Sequence, residues 1–440
     1  MTRKITVFIL IALFTGSTLT AQTGSRIKQL IYGDSLRLVE IFKDLHRNPE
    51  AAFTEVRTAG IIAKEFNALG YHVITGIGKT GVAGILQNGK GPVVMYRADM
   101  DCNAVKEITN LPYASTRTMK NEEGTEVPLM HACGHDAHIS WMLGAAKAMA
   151  AIKKDWSGTL VFIAQPAEEV GLGAKAMVAD SIFLNKIPVP DYLFGMHTMP
   201  IAVGLVDNAA GERMPGSDQL DVSFYGVGGH GSTPELTIDP VLMGVEAVLQ
   251  YQTIISRNIP AQEAAVLSVG AFNAGINYNV IPATSSLKLN LRWFSQQTRN
   301  TLMDGIQRIN EGIALANNVP REKYPTIHIR TTVQPVINDA ALVAKINTAI
   351  GAAIGKENII TGSKGLMVSE DFPHLVTDPK KTVYNYLWIG IANQSLADAA
   401  ILEGKKYPFF NHSGNFEVDL AAIPFGAFAG TTALLELFKK

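Results

Sequence analysis

The sequence predicts an α/β fold in which a smaller α+β domain is inserted into a discontinuous α/β domain. Apolar segments typical of buried strands alternate with amphipathic helical segments over the first half of the chain. This order changes in the middle of the chain and then returns. The length of 440 residues also exceeds what one hydrophobic core usually contains, so we expect two domains.

The first α/β segment places polar residues directly after its predicted strands. Helical apolar spacing predicts helices over residues 35–46 and 58–69, and helices over 139–152 and 173–179 lie between strands. Because ligands of open α/β sheets bind beyond the carboxyl ends of the strands, we expect the polar residues to share one site. The strands with their following polar residues are 93–96 with Asp99 and Asp101, 160–164 with Glu168 and Glu169, and 192–196 with His197.

The middle of the chain has the order strand-helix-strand-strand-helix-strand. This order is that of a split βαβ, ferredoxin-like sandwich. The predicted elements are strand 219–225, helix 239–256, strands 265–272 and 285–294, helix 298–316 and strand 326–333. A helix over 339–354 then resumes the α/β pattern. The predicted segments are therefore a signal peptide at 1–21, the first part of the α/β domain at 22–214, the inserted domain at 215–333 and the second α/β part at 334–440.

The N-terminal residues have the order of a secretory signal peptide. A cationic start at Arg3 and Lys4 precedes an apolar run over residues 5–14, and small or polar residues follow as far as Ala21. The run is too short to span a bilayer comfortably, which disfavours a retained membrane anchor. We therefore expect cleavage after Ala21 and a periplasmic or secreted protein without membrane contact.

Composition excludes some partners and leaves one question about cysteine open. The formal net charge is -1, so no basic excess indicates binding to nucleic acid. The two cysteines are Cys102 and Cys133. A disulfide between them is one interpretation for an exported protein. Metal binding by Cys133 is the other, since coordination keeps a thiolate occupied even in an oxidising compartment.

The densest group of chemically active residues is HACGHDAH at residues 131–138. Thiolate and imidazole are good ligands for borderline-soft divalent metals. Cys133 and His135 are separated by Gly134, which permits a tight turn that directs both side chains toward one centre. The alternative is a polar loop in which Asp136 caps a helix.

Two carboxylates and two histidines elsewhere are further candidates. Adjacent Glu168 and Glu169 repel unless one is neutralised, which suits one as a metal ligand and the other as a proton carrier. The alternative for this pair is the acidic first turn of a helix. His197 and His412 are further candidates because they would supply the ligands that a metal site at Cys133, His135 and Glu169 still lacks.

The inserted domain contains a glycine-rich segment, GGHGSTP at residues 228–234. Glycines on both sides of His230 let the backbone approach a ligand closely, and the imidazole is suited to donate a hydrogen bond to a developing oxyanion. The alternative is a flexible glycine loop.

Together these segments resemble the amidohydrolase branch of the aminoacylase and carboxypeptidase metallopeptidases, peptidase family M20, which includes hippurate and auxin-conjugate hydrolases. The pair HACGHD and QPAEE is the most specific part of this resemblance. The matching segments, in family order, are LHRNPE (45–50), RADMD (97–101), MHACGHDAH (130–138), QPAEE (165–169), GMH (195–197), GGHGSTP (228–234), NVIP (279–282), SEDF (369–372) and NHSGNF (411–416).

The resemblance implies a zinc-peptidase-like catalytic domain with a ferredoxin-like lid that forms a homodimer. It also implies two divalent metal ions per subunit. Zinc is the expected metal, with manganese, cobalt and nickel as alternatives. The implied metal ligands are Cys133, His135, Glu169, His197 and His412.

The resemblance further implies a role for residues around the metals. Glu168 is the implied general base, and Asp101 supports the ligands from behind. His230 is implied to act at the site of the other subunit. Asn279 and Arg292 match lid positions that hold a substrate carboxylate.

Three departures from the family pattern affect the predicted substrate pocket. The chain has CNA at residues 102–104 where the family has Ala-Leu-Pro, and Glu235 follows the lid proline in place of histidine. It also has NL at residues 290–291 in place of Gly-Thr. None of these positions is an implied metal ligand.

We therefore predict an enzyme that hydrolyses the amide bond of N-acyl amino acids, in which Glu168 takes a proton from a water shared by two metals. A dipeptidase or carboxypeptidase with the same centre is an alternative, because the sequence does not separate their acyl-side pockets. A catalytically silent peptide- or metal-binding protein is disfavoured, since the base and all five ligand candidates are present. No Gly-x-Ser-x-Gly segment indicates a serine nucleophile.

Overall fold

The computed structural model describes residues 24–121 and 124–439. The predicted signal peptide at 1–21 lies outside the described residues and stays a prediction. Within the described ranges, each helix is too short or too polar to cross a membrane.

The chain folds into α-helices and β-strands as follows. The helices are α1 (24–33), α2 (Ser35–Arg47), α3 (Val56–Ala68), α4 (His135–Ala151), α5 (Gly173–Ala179), α6 (Ser181–Lys186), α7 (Pro240–Thr253), α8 (Gln296–Ala316), α9 (Ala340–Ile354), α10 (Gln394–Leu402) and α11 (Ala422–Leu437). The strands are β1 (His72–Ile77), β2 (Gly81–Asn88), β3 (Val93–Asp99), β4 (Thr118–Lys120), β5 (Glu126–Pro128), β6 (Gly158–Gln165), β7 (Tyr192–Ala202), β8 (Val206–Asp207), β9 (Gly211–Met214), β10 (Gly216–Tyr225), β11 (Gly229–His230), β12 (Val266–Ala274), β13 (Val280–Ile281), β14 (Thr284–Trp293), β15 (Thr326–Val333), β16 (Val336–Asn338), β17 (Ile359–Ile360) and β18 (Val383–Ala392).

The described residues form two compact units. The first contains the residues up to Gly211, Asn338–Lys364 and the residues from His374 onward, and the second contains Glu212–Ile337 and Gly365–Pro373. The predicted boundaries place this last segment with residues 334–440. In the structure it clusters with the second unit, where the Leu366 amide donates a hydrogen bond to the Arg213 carbonyl at 2.9 Å.

The first unit contains an eight-stranded sheet in the order β1-β2-β6-β3-β7-β18-β8-β17. The pairs β6-β3, β3-β7 and β7-β18 are parallel, so the carboxyl ends of these strands meet at one edge of the sheet. Asp99 ends β3 and pairs in register with Gln165, which ends β6. The segments that carry Asp101 and Glu168 therefore leave the sheet side by side.

Strand β7 is longer than the sequence predicted. The prediction ended it at residue 196, but β7 continues to Ala202 because its pairing with β18 extends through that residue. Its register with β3 ends earlier, at Gly195. His197 is therefore held by a strand and does not lie in the loop that follows one.

Helix α4 begins at His135, four residues before the predicted start. The preceding Gly134 has φ +83°, a left-handed conformation that glycine adopts without a steric cost. Nearly every residue of α4 is buried. Close packing explains this burial, since a Cβ at Gly144 would lie 2.7 Å from Ala427 Cβ of α11. The first turn of α4 is thus fixed by packing along the whole helix.

The second unit contains a four-stranded antiparallel sheet in the order β12-β14-β10-β15. Strand β14 lies between β10 and β12, which α7 connects, and β10 lies between β14 and β15, which α8 connects. This is the split βαβ order that the sequence predicted. Alternate apolar residues of β10 and β14 form a core with α7 and α8.

A buried imidazolium connects α2 to the start of α4. His46 Nδ1 lies 2.6 Å from Asp136 Oδ2, and His46 Nε2 lies 3.2 Å from Glu107 Oε1. Burial lowers the pKa of His46, but the two carboxylates outweigh burial and raise this pKa to about 9. His46 therefore carries a proton at neutral pH and donates from both ring nitrogens.

We expect the stabilising effect of His46 to decrease in alkaline solution. Because its folded-state pKa lies above the unfolded value of about 6.5, the contribution is complete below that pH and is lost as the pH rises through about 9. The difference in unfolding free energy between the natural protein and His46→Gln should shrink by up to roughly 3 kcal/mol from pH 6 to pH 10. Urea unfolding at each pH measures it. An equal difference at both pH values would contradict this prediction.

Candidate metal centre

The backbone turn at Cys133 and Gly134 directs two donors of the 131–138 segment to one side. A Cβ at Gly134 would lie 2.5 Å from Thr198 Cγ2, so glycine is required here for space as well as for its positive φ. Cys133 is buried, and His135 follows as the first residue of α4. The turn therefore presents a thiol and an imidazole from positions two residues apart.

The proton of His135 can be assigned from its hydrogen bond. Its Nδ1 lies 2.8 Å from the backbone carbonyl oxygen of Asp101, which only accepts hydrogen bonds. Nδ1 therefore carries the proton, and the Nε2 lone pair is left for another partner. Metal-ligating histidines are usually oriented in this way.

His197 has the same arrangement. Its Nδ1 donates to the Thr198 carbonyl oxygen at 2.8 Å, and its Nε2 lies 3.3 Å from Cys133 Sγ. Donors that occupy corners of a tetrahedron with metal bonds of about 2.0–2.3 Å lie roughly 3.5 Å apart. The distance between the sulfur and this nitrogen fits such a tetrahedron.

The carboxylate of Asp101 holds the turn that carries both glutamates. Its Oδ1 accepts from the Glu168 amide at 3.1 Å, and its Oδ2 accepts from the Glu169 amide at 3.0 Å. The preceding Ala167 has φ +51°, a strained value for a residue with a Cβ. Buried Glu55 stabilises this turn by accepting from the Ala167 amide at 2.9 Å.

His412 reaches the same group from near the end of the chain. Its amide donates to the Ala132 carbonyl at 2.7 Å, and its Nε2 lies 3.4 Å from Glu169 Oε2. Its φ of +63° is unusual for a residue other than glycine. Its side chain is 53% exposed, so this part of the centre is open to solvent.

Two of the groups of possible metal donors share one sulfur. Cys133, His135 and His197 form the first group, and Cys133, Glu169 and His412 form the second. Within each group the donor atoms all lie within 4.8 Å of one another. Cys133 thus belongs to both groups, and the structure brings together all five residues that the resemblance implied as ligands.

The electrostatic environment of this group favours added positive charge. Burial alone would raise the pKa of the Cys133 thiol, but the neighbouring His197 and His135 imidazoles hold it well below its usual range. Burial and the charge of Cys133 raise the pKa of the Glu169 carboxyl. Hydrogen bonds to Cys133 and Glu169 raise the pKa of His412 to about 10. A concentration of buried negative charge therefore draws protons to the site, and a metal cation satisfies the same demand.

Two buried polar atoms without hydrogen-bond partners indicate whether the site fits a metal. His135 Nε2 and Glu169 Oε1 are buried without a hydrogen-bond partner, and they lie 3.6 Å apart. Unpaired buried polar atoms are costly, and those in native structures usually have a ligand or water. A thiolate, imidazoles and a carboxylate are the donor set that zinc and similar metals prefer. The residues present therefore fit a divalent metal centre.

The other two histidines of the 131–138 segment have different surroundings. His138 Nδ1 donates to Asp99 Oδ1 at 2.6 Å, and its Nε2 accepts from the Thr198 amide at 2.9 Å, so both ring nitrogens are occupied. Burial lowers the pKa of His138 to about 4. His131 is also buried, and burial likewise lowers its pKa to about 4.

The remaining candidates belong to the second unit. His230 is exposed on the pair β11-β13, and its Nδ1 accepts from the Ser232 amide at 3.1 Å, which leaves the proton on Nε2. The Asn279 carbonyl accepts from the Gly231 amide at 2.8 Å. Arg292 on β14 donates to Asn290 at 2.9 Å and to Ser369, and both acceptors are neutral.

Glu55 and Thr198 support the centre from behind, and the sequence did not predict either role. Both are buried and bonded to backbone groups of ligand-bearing segments. Neither belongs to a recognisable pattern of donor residues. Their roles depend on which backbone groups lie next to them in the folded chain, so no local signal in the sequence was available to find them.

Comparison with known proteins places the chain among metal-dependent hydrolases. Residues 95–402 match a family model described as Peptidase family M20/M25/M40. The chain is 38% identical over 352 residues to a hippurate hydrolase from Campylobacter jejuni, covering 79% of this chain and 87% of that protein. It is 31% identical to an IAA-amino acid hydrolase from Arabidopsis thaliana, covering 89% of this chain and 83% of the relative.

A solved structure shares the fold. It is a Bacillus subtilis protein described as a dinuclear metal binding peptidase from the M20 family. The TM-score is 0.72 at 24% identity, and the match covers 92% of this chain and 99% of that chain. The likeness extends over both units.

Thiol titration tests the state of the two cysteines, which are both free in the structure. Burial raises the pKa of the Cys102 thiol well above its usual range, so this thiol should stay unreactive in the folded protein. We expect no reactive thiol in the metal-loaded protein, one after chelation and two after unfolding without reductant.

The chelated Cys133→Ser variant is the control and should show none until it is unfolded. No reactive thiol in the unfolded, unreduced protein would instead indicate a Cys102–Cys133 disulfide and would argue against ligation by Cys133.

Proposed function

The chain belongs to peptidase family M20/M25/M40 and is a metal-dependent amide hydrolase; from this premise we propose that it cleaves N-acyl amino acids with a two-metal centre. The observation that carries the proposal is the pair of donor groups that share Cys133. A donor shared between two sets of ligands suits two cations that lie close together. The relatives named for hippurate and IAA-amino acid substrates support an N-acyl amino acid as the substrate.

The proposed ligands divide between two cations. Cys133, His135 and His197 would hold one, and Cys133, Glu169 and His412 would hold the other. When bound, two such ions lower the pKa of a water and polarise a substrate carbonyl. We propose zinc because a thiolate with several imidazoles suits a borderline-soft ion, with manganese, cobalt or nickel as alternatives.

Glu168 is the proposed general base. Its side chain is 10% exposed, and its Oε2 lies 3.9 Å from His135 Nε2, beside the first group of donors. Its backbone is fixed by Asp101, which holds the carboxylate next to the proposed ligands. Glu168 would accept a proton from the attacking water and deliver it to the leaving amine.

Three residues of the second unit are proposed to bind substrate. Arg292 has a half-buried guanidinium whose described partners are neutral, so it is available to pair with the α-carboxylate of an amino acid. Asn279 is proposed to assist it. His230 keeps a proton on Nε2 and would donate to the oxyanion of the transition state, at the site of the other subunit.

The Glu168→Gln variant tests the proposed chemistry. We expect it to bind metal as the natural protein does but to lose at least 10²–10⁴-fold in kcat, because an amide does not accept the proton. Metal analysis and a panel of N-acetyl amino acids, N-benzoyl amino acids and dipeptides provide the two measurements. Hydrolysis confined to dipeptides would favour the dipeptidase alternative.

The adjacent Glu169→Gln variant is the matched control. It makes the same chemical change one residue away, and we expect it to reduce metal content as well as turnover because Glu169 is a proposed ligand. Natural turnover by Glu168→Gln, or equal metal loss in both variants, would remove Glu168 from the proposed role.

We also propose that the second unit forms a homodimer through α7 and β12. Leu242, Val245 and Leu249 of α7 are 52%, 42% and 68% exposed and lie on one helix face at spacings of three and four. Phe272 of the adjacent edge strand β12 is 39% exposed. A groove of about 340 Å³ lies between the helix and the strand. An exposed apolar stripe beside a sheet edge suits pairing with a second copy of the same surface.

Charge substitution in this stripe should produce monomers. We expect the Val245→Glu, Leu249→Glu double variant to sediment at half the mass of the natural protein, because the substitution buries carboxylates at the contact. The control is Leu315→Glu, the same change at another leucine of this unit, in α8 and 72% exposed. A double variant with the natural mass would show that this surface is not the dimer contact.

A further inference from the structure

We propose that Thr198 is a positioning residue that holds two proposed metal ligands, Cys133 and His197, in the orientation needed for binding. The inference rests on the proposed metal centre and extends it to a residue that donates no metal bond. Thr198 follows His197 on β7 and is 1% exposed. Each of its polar groups is used, and two of them contact the ligand residues.

The side chain and the carbonyl of Thr198 act on different ligands. Its Oγ1 donates to the Cys133 carbonyl at 2.7 Å, which fixes the backbone from which the thiol projects. Its carbonyl accepts from His197 Nδ1 at 2.8 Å, which fixes the ring and directs Nε2 toward the sulfur. Oγ1 also lies 3.4 Å from His197 Nδ1. Thr198 thus fixes the positions of both the Cys133 thiol and the His197 imidazole, whose Sγ and Nε2 atoms lie 3.3 Å apart.

Thr198 is itself held by a buried polar chain. Its amide donates to His138 Nε2 at 2.9 Å, and the opposite nitrogen of that ring donates to Asp99 Oδ1 at 2.6 Å. Asp99 in turn accepts from Arg97 Nη1 at 2.7 Å through its second oxygen. These side chains are at most 1% exposed. These hydrogen bonds leave Thr198 little freedom to shift. Thr198 therefore holds both ligand residues in fixed positions.

The methyl group of Thr198 has a separate role. It fills the space beside Gly134, where an added Cβ would lie 2.5 Å from Cγ2. The hydroxyl and the methyl group can therefore be tested independently. Valine keeps the shape and removes the hydroxyl, whereas serine keeps the hydroxyl and removes the methyl group.

Zinc affinity is the first measurement, made by competition with a chelator of known affinity and without substrate. We expect Thr198→Val to bind zinc about 10–100-fold more weakly, the range usual for loss of a hydrogen bond that orients a ligand. Thr198→Ser should lie within about threefold of the natural protein, because it keeps the oriented donor. Natural zinc affinity in Thr198→Val would overturn the proposal, as would equal weakening in both variants.

Reactivity of Cys133 in the chelated protein gives a second readout that needs no metal and no activity. With its carbonyl released, the thiol of Thr198→Val should react faster with a thiol reagent than in Thr198→Ser or the natural protein. Melting of the metal-free variants measures any purely structural role. A lower melting temperature in Thr198→Val with unchanged zinc affinity and thiol reactivity would overturn the proposal.

These outcomes separate the proposal from the proposed function. If the natural protein binds zinc, loses it in Thr198→Val and hydrolyses none of the N-acyl amino acids, the positioning role stands and the proposed substrate fails. If the natural protein hydrolyses them and Thr198→Val retains zinc, the function stands and the positioning role fails.

Discussion

The arrangement of the first unit depends on buried negative charge around one sulfur. Cys133 Sγ belongs to two groups of possible metal donors, and Glu168, Glu169 and Asp101 lie close by. Because like charges in a low-dielectric interior repel strongly, positive charge at this point would stabilise the folded chain. The surrounding hydrogen bonds orient two imidazoles for this purpose. Nδ1 of His135 and of His197 donates to a backbone carbonyl, so Nε2 of each ring faces the centre.

Much of the fold follows from local patterns in the sequence. Apolar periodicity predicted most of the helices and strands, and their order predicted the split βαβ arrangement of the second unit. The ends of elements were less accurate, for reasons that lie outside the segments concerned. Strand β7 continues past residue 196 because β18 pairs with it, and α4 begins at His135 because Gly134 turns the chain. Strand pairing and tight turns depend on tertiary structure, which the spacing of apolar residues does not predict.

The proposed donor residues could be identified from the sequence, whereas the residues that support them could not. Cys133, His135 and Glu169 have side chains whose chemistry is specific, so their types and spacing indicate metal even without a structure. Thr198 and Glu55 have ordinary side chains, and what they contribute is a hydrogen bond to a particular backbone group. Such contacts arise only when segments far apart in the sequence come together. The strained conformation at Ala167 belongs to the same class of feature.

The position of His412 has a consequence for how the proposed centre is completed. The four other proposed donors lie in the first half of the printed sequence, whereas His412 follows all residues of the second unit along the chain. The second proposed donor group therefore combines residues that precede the second unit with one that follows it. It follows that a chain truncated before His412 would retain the first proposed donor group and would lack the second. Binding of a second cation would thus depend on the segment that carries His412.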